Sequence, residues 1–145
     1  MQLLATCLPT GQPCPIAVPL YEHRVPAGFP SPAADFTERT LDLNEFIVKH
    51  PAATFFVKVS GDSMQNAGIY EGDIIVVDKS LQAVHGNIVL ALVHGEFTVK
   101  RLSYVGKKVF LQPENERYQP LEIKPDMDFE VWGVVIHVLH KVYGV

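Results

Sequence analysis

Between residues 54 and 139 the chain repeats one pattern, short runs of branched and aromatic residues separated by breaks that carry glycine, proline, asparagine or aspartate. Residues 54–59, 74–77, 87–93, 96–104, 108–111 and 129–139 are such runs, and side chains of this type pack best on a pleated, half-buried surface. They predict six β-strands. His94-Gly95 and Val105-Gly106-Lys107 fall between consecutive runs and read as hairpin connections. The close, regular spacing predicts a mainly β fold, a sandwich or partly closed barrel.

Upstream the pattern is different. Residues 1–40 hold many prolines and no sustained period, which argues for an extended, flexible N-terminal arm; residues 41–145 form the folded domain. At the junction, Asp42 is placed to cap a short helix, with Glu45 three residues on and Leu43, Phe46 and Ile47 on one apolar face. Pro51 sets its end near His50-Pro51. A helix–turn–helix does not fit this arm.

Composition narrows the function. The 145 residues are 48% hydrophobic, enough for one substantial core, and the formal net charge of −4 without a dense Lys/Arg cluster disfavours direct, sequence-specific DNA binding. The longest apolar run, residues 131–139, is too short to span a bilayer, and the proline-broken start lacks a secretory signal, so a cytoplasmic protein is expected. Cys7 and Cys14 have neither CxxC spacing nor a neighbouring histidine and read as free thiols. No cofactor and no metal is expected.

The candidate chemistry lies in Val59-Ser60-Gly61-Asp62-Ser63-Met64 and, well downstream, Phe97-Thr98-Val99-Lys100-Arg101. A serine hydroxyl needs a base to become a nucleophile. A lysine can be that base only when neutral, and at an ordinary pKa of about 10.4 roughly one in a few thousand is neutral at pH 7. Burial must supply the difference, roughly 4–5 kcal/mol for a shift to about 7. On a strand, Lys100 shares a face with Thr98 and Leu102, surroundings that can be largely desolvated. Other bases fit less well. His85 and His94 sit beside glycine at turn tips. His137 and His140, three apart, fall on opposite faces of a strand and do not make a metal site. Glu71, Asp73 and Asp78 suit turn ends better than paired acid/base chemistry. Taken singly, Ser63 also reads as a turn residue and Lys100 as an edge charge.

The wider pattern decides between these readings. Ser60-Gly61-Asp62-Ser63-Met64, Gly68-Ile69, Glu71-Gly72-Asp73-Ile74-Ile75-Val76-Val77-Asp78, His85-Gly86-Asn87-Ile88-Val89 and Phe97-Thr98-Val99-Lys100 closely resemble the LexA/UmuD family of self-cleaving serine peptidases, from about Pro26 to the C-terminus. The resemblance implies a LexA-type peptidase fold with Ser63 as nucleophile, Lys100 as general base and the backbone N–H groups of Asp62 and Ser63 as the oxyanion hole. The Asp62 side chain reads as a turn-stabilising acceptor. Cleavage is implied in the chain itself, at Ala27-Gly28, where Gly28-Phe29-Pro30-Ser31-Pro32 follows the cut; Pro26 departs from the pattern and restricts Val25 to extended backbone.

The resemblance further implies an SOS-response role. A RecA–single-stranded DNA filament stimulates cleavage, and the product, residues 28–145, acts as a homodimer and accessory subunit of a UmuC-type error-prone polymerase in translesion synthesis. Residues 131–139 are candidates for the dimer interface, with a core role as the simpler reading. A signal peptidase, which also pairs Ser-Met with a lysine, is disfavoured by the lack of an anchor. The principal alternative is a non-catalytic dimeric interaction module of the same fold.

Overall fold

The computed structural model of the chain describes residues 15–22, 24–30 and 38–144. Cys7 and Cys14 lie outside the described residues. Two compact units divide the chain, residues 1–49 and 50–145.

In the first unit, β1 (Ala17–Tyr21) pairs antiparallel with β2 (Glu38–Asp42), from Ala17 opposite Asp42 to Tyr21 opposite Glu38. The proline-rich pattern did not reveal this ladder, because β1 contains Pro19 and β2 is mostly polar. A two-stranded ribbon has no central strand, so Pro19 can sit in it with its nitrogen off the ladder. Asp42 caps α1 (Leu43–Ile47), accepting from the Asn44 N–H at 2.9 Å. The helix stops earlier than the expected His50-Pro51, since Val48 is already extended at φ −102°, ψ 95°. Of its expected apolar face only Ile47 is buried; Leu43 and Phe46 are exposed.

The second unit holds a seven-stranded antiparallel sheet made of β3 (Thr54–Lys58), β4 (Ile74–Asp78), β5 (Ile88–Val93), β6 (Glu96–Val105), β7 (Lys108–Gln112), β8 (Leu121–Ile123) and β9 (Phe129–Leu139). Its order is β3-β4-β9-β5-β6-β7-β8. The mainly β expectation holds, and all six predicted strands form within a residue or two at each end. The β5–β6 connection is a two-residue turn in which His94 takes φ 48° and Gly95 φ 80°, the primed geometry that matches strand twist. β8 was not predicted; three residues are too few to show a period.

β9 enters the middle of the sheet, between β4 and β5, and carries an extra residue against each neighbour. Val76 faces His137 while Val77 faces Val135; Leu90 faces Gly133 while Ala91 faces Val131. Two bulges on one strand bend it and raise the local twist. Gly133, between them, lets β4 come close, because a Cβ there would lie 2.6 Å from Val77 Cγ1 and 3.0 Å from the Asp78 carbonyl oxygen. Residues 131–139, the candidate dimer segment, pair with β5 as far as Val134 and with β4 from Val134 to Leu139, and Val131, Val135 and Val138 pack against the core.

The curl matters for function. β3 and β6 are four strand positions apart, about 19 Å in a flat sheet. Instead Val57 and Val59, at the end of β3, pack with Val99 of β6 against one buried cluster of Met64, Ile69, Ile75, Val77 and Leu90. A second cluster, Val89, Ala91, Leu102 and Leu111, fills the opposite side of β5. With both faces covered, β5 reads as the unbroken apolar run Ile88-Val89-Leu90-Ala91-Leu92-Val93.

Candidate active site

Ser63 lies in the turn that leaves β3. Val59 remains in backbone register with the β4 corner, its N–H donating to the Asp73 carbonyl at 2.8 Å and its carbonyl accepting from Gly72 N–H at 2.9 Å. The chain then reverses at Gly61, φ 83°, where a side chain would be strained. Met64, only 2% exposed, plugs into the first core cluster, and a single 3₁₀ turn, Gln65–Ala67, follows. Burial of Met64 fixes the residue beside it. A flexible thioether suits this irregular gap between turn and sheet.

Lys100 comes from β6. Its Nζ lies 3.0 Å from Ser63 Oγ, 2.8 Å from Thr98 Oγ1 and 3.1 Å from the Val99 carbonyl oxygen. A neutral amine has two N–H bonds and one lone pair. Thr98 Oγ1 and the Val99 carbonyl can take the two N–H bonds, which leaves the lone pair for the Ser63 hydroxyl proton. Among the described residues no carboxylate pairs with Lys100. Burial without a counter-charge pushes its amine below the usual lysine value. Both side chains open on a cavity of about 240 Å³ whose apolar wall includes Val57, Met64, Leu90, Phe97 and Val99.

The Asp62 carboxylate turns away from this pair. It accepts from the Tyr118 hydroxyl at 2.5 Å and pairs with the Arg117 guanidinium, so the expected turn-stabilising acceptor has its partners far along the chain instead. The Tyr118 hydroxyl bond, with Arg117, holds the Asp62 carboxyl below its ordinary value and in return raises Tyr118. Sequence reasoning missed this loop. Residues 113–118 look like a solvated polar run, and only long-range contacts reveal their attachment: Glu114 N–H donates to the Ser63 carbonyl at 2.8 Å, Asn66 N–H to the Glu114 carbonyl at 2.9 Å, and Asn115 Nδ2 to the Asp62 carbonyl at 2.9 Å. Arg101, next to Lys100, pairs with Glu114 and donates to the Gly86 carbonyl at 2.6 Å.

The remaining candidates fall elsewhere. His85 Nδ1 accepts from Tyr104 N–H at 2.9 Å, and His94 occupies the β5–β6 turn; neither lines the cavity that holds Ser63 and Lys100. Glu71 is exposed. Asp73 and Asp78 are more than turn residues. Asp73, 3% exposed, accepts from Tyr70 N–H and meets His140 Nδ1 at 2.6 Å; Asp78, 1% exposed, accepts from Ser80 N–H and Oγ and meets His50 Nδ1 at 2.6 Å. Burial pushes both carboxyls up, but these donors more than offset it and leave both below the usual range. Ala27 and Gly28 belong to the first unit, on a bend in which Val25 and Phe29 are exposed and a Cβ on Gly28 would meet nothing within 4 Å.

The Peptidase S24-like family matches residues 19–136. The chain belongs to that family. Protein MucA of Salmonella typhimurium is 48% identical over 124 residues, 85% of this chain and 84% of its own. Protein SamA of Salmonella typhimurium strain LT2 is 45% identical over 139 residues, 96% of each chain. The LexA repressor of Shewanella halifaxensis is 40% identical over 119 residues, 81% of this chain and 57% of its own. The resemblance to the LexA/UmuD family is borne out at the level of membership, and Peptidase S24 members are self-cleaving serine peptidases. No described helix is long and apolar enough to cross a membrane.

Proposed function

We propose that this chain cuts its own Ala27-Gly28 bond, with Ser63 as nucleophile and Lys100 as general base. The observation that carries the reading is the 3.0 Å approach of Lys100 Nζ to Ser63 Oγ by an amine that burial has made less basic and no carboxylate neutralises. Neutral Lys100 takes the hydroxyl proton as Ser63 Oγ attacks the Ala27 carbonyl carbon. The oxyanion of the tetrahedral intermediate is held by the N–H groups of Asp62 and Ser63, each well-aimed donor contributing about 3 kcal/mol. The new ammonium returns its proton to the leaving Gly28 nitrogen. An ester joins Ala27 to Ser63, and a water deprotonated by Lys100 then hydrolyses it.

Residues 1–40 serve as the arm that carries the bond and residues 41–145 as the peptidase domain. A tethered bond meets the nucleophile at a high effective concentration, so no affinity for outside substrates is required. In the cell the reading extends to an SOS-mutagenesis role in the cytoplasm. A RecA–single-stranded DNA filament favours the arm conformation in which the bond enters the cleft, a population shift rather than new chemistry. The cleaved homodimer then serves a UmuC-type error-prone polymerase in translesion synthesis.

Intact mass after incubation from pH 7 to about pH 10, with and without RecA filament, tests the reading. Wild type gives two fragments meeting at Ala27-Gly28, faster as pH rises, while Ser63→Ala and Lys100→Ala stay whole. A wild-type chain whole at every pH, filament included, transfers the assignment to the non-catalytic dimeric module.

A further inference from the structure

We propose that Asn115 is a positioning residue that aims the Ser63 N–H at the oxyanion. This rests on the self-cleavage reading and adds to it a group outside the nucleophile, the base and the oxyanion donors.

The argument begins with the peptide unit. The carbonyl of Asp62 and the N–H of Ser63 belong to one planar trans peptide, so they point in opposite directions and rotate together. Whatever fixes the Asp62 carbonyl therefore fixes the Ser63 N–H. Asn115 does so. Its Nδ2 donates to that carbonyl at 2.9 Å, and its Oδ1 accepts from Arg117 N–H at 3.0 Å. Because one end must donate and the other must accept, the amide has a single orientation that satisfies both. The side chain is 7% exposed, so water competes little for either bond.

The mount for this amide is rigid at several points. Glu114 N–H holds the Ser63 carbonyl, the Glu114 carbonyl holds Asn66 N–H, Tyr118 N–H closes on the Asn115 carbonyl at 3.1 Å, and Arg101 ties the Glu114 side chain to β6 beside Lys100. The peptide that must bind the oxyanion is thus gripped from behind by a side chain referenced to both halves of the dyad. A bond to the carbonyl also polarises the peptide, which makes its N–H a better donor. The Asp62 carboxylate with Arg117 and Tyr118 forms a separate, more exposed latch on the same loop, one that does not touch the peptide plane.

That separation supplies the test. Self-cleavage of the full chain is followed as a first-order rate from pH 7 to about 10 for wild type, Asn115→Asp, Asn115→Ala, Arg117→Ala and Tyr118→Phe, with near-UV circular dichroism to verify folding. Asn115→Asp keeps the shape but presents a carboxylate that cannot donate. We expect both Asn115 variants to lose about 10- to 100-fold at the plateau, less than complete removal of an oxyanion donor, with the rising limb of the pH profile unmoved because Lys100 is untouched. The latch variants stay within about threefold of wild type. In a Ser63→Ala background, where nothing is cut, the amide proton resonance of residue 63 shifts with Asn115→Asp and not with Tyr118→Phe, which keeps the proposal testable if Asn115→Ala fails to fold. Wild-type rates in Asn115→Asp, or equal losses in the latch variants, overturn the inference and leave self-cleavage standing. A wild-type chain that is never cut removes the self-cleavage reading itself.

Discussion

Lys100 and Asp78 are both ionisable groups withdrawn from water into the same sheet, and the fold treats them in opposite ways. Asp78 has His50 on one carboxylate oxygen and both Ser80 donors on the other, so it keeps its charge and its pKa falls. Lys100 has a hydroxyl, a carbonyl and the Ser63 oxygen, none of them charged, so its ammonium is destabilised. Depth alone does not separate a structural group from a reactive one. What separates them is whether the donors and acceptors nearby favour the charged form. Asp73 with His140 and Tyr70 repeats the structural solution at the other end of β4.

The contrast breaks most severely if the amine is removed. Lys100→Ala is expected to slow cleavage by about 10²- to 10⁴-fold, the range for a lost general base, measured by fragment mass at pH 9. Giving Lys100 the counter-charge it lacks is the next test. Thr98→Asp puts a carboxylate beside Nζ, on the side where Thr98 Oγ1 now lies at 2.8 Å. The ammonium is then favoured, and the rising limb of the pH–rate profile moves up by about one unit or more. An unmoved limb would mean that Lys100 deprotonation does not set the profile.

The structural side of the comparison is sharpened by Asp78→Ala. It removes the buried, charged acceptor shared by Ser80 and His50, and is expected to cost about 1–3 kcal/mol in urea unfolding while the pH dependence of cleavage in the folded protein stays where it was. The two groups also pull stability in distinguishable pH windows. The depressed Asp73 and Asp78 contribute stability that is complete above the ordinary carboxylate pKa of about 3.9 and is lost as pH falls through their folded values; Asp78→Asn and Asp73→Asn shrink that acid loss. Lys100 works the other way. Its folded pKa lies below about 10.4, so between the two values the unfolded chain binds more protons and stability rises with pH, a small slope that Lys100→Met removes.

The sequence was legible where the signal was local or repeated. The strands from β3 to β7 and β9 follow from branched and aromatic runs, the primed turn from His94-Gly95, and the cap from Asp42. Ser63 and Lys100 were legible for a different reason, since each stands within a run that resembles a family pattern; neither is distinctive alone. What stayed hidden depended on partners far away in sequence. Asp73 and Asp78 look like turn residues until His140 and His50 close on them, and Asn115 lies in a run whose polarity suggests nothing but solvent. Pro19 masked β1, because a proline argues against a strand wherever the sheet context is unknown.

The place of β9 has a consequence for the order of events during synthesis. Translation delivers Ser63 and Lys100 long before residues 129–139, yet β9 is the strand that joins β4 to β5, and thereby the half of the sheet bearing the serine to the half bearing the lysine. Until that strand is made and inserted, the curl that brings the two side chains within 3.0 Å has no middle. On the self-cleavage reading, a nascent chain therefore carries both groups of the proposed dyad before it carries the site. The proposed scissile segment, made earliest of all, would then leave the ribosome safe from cleavage until the domain is finished.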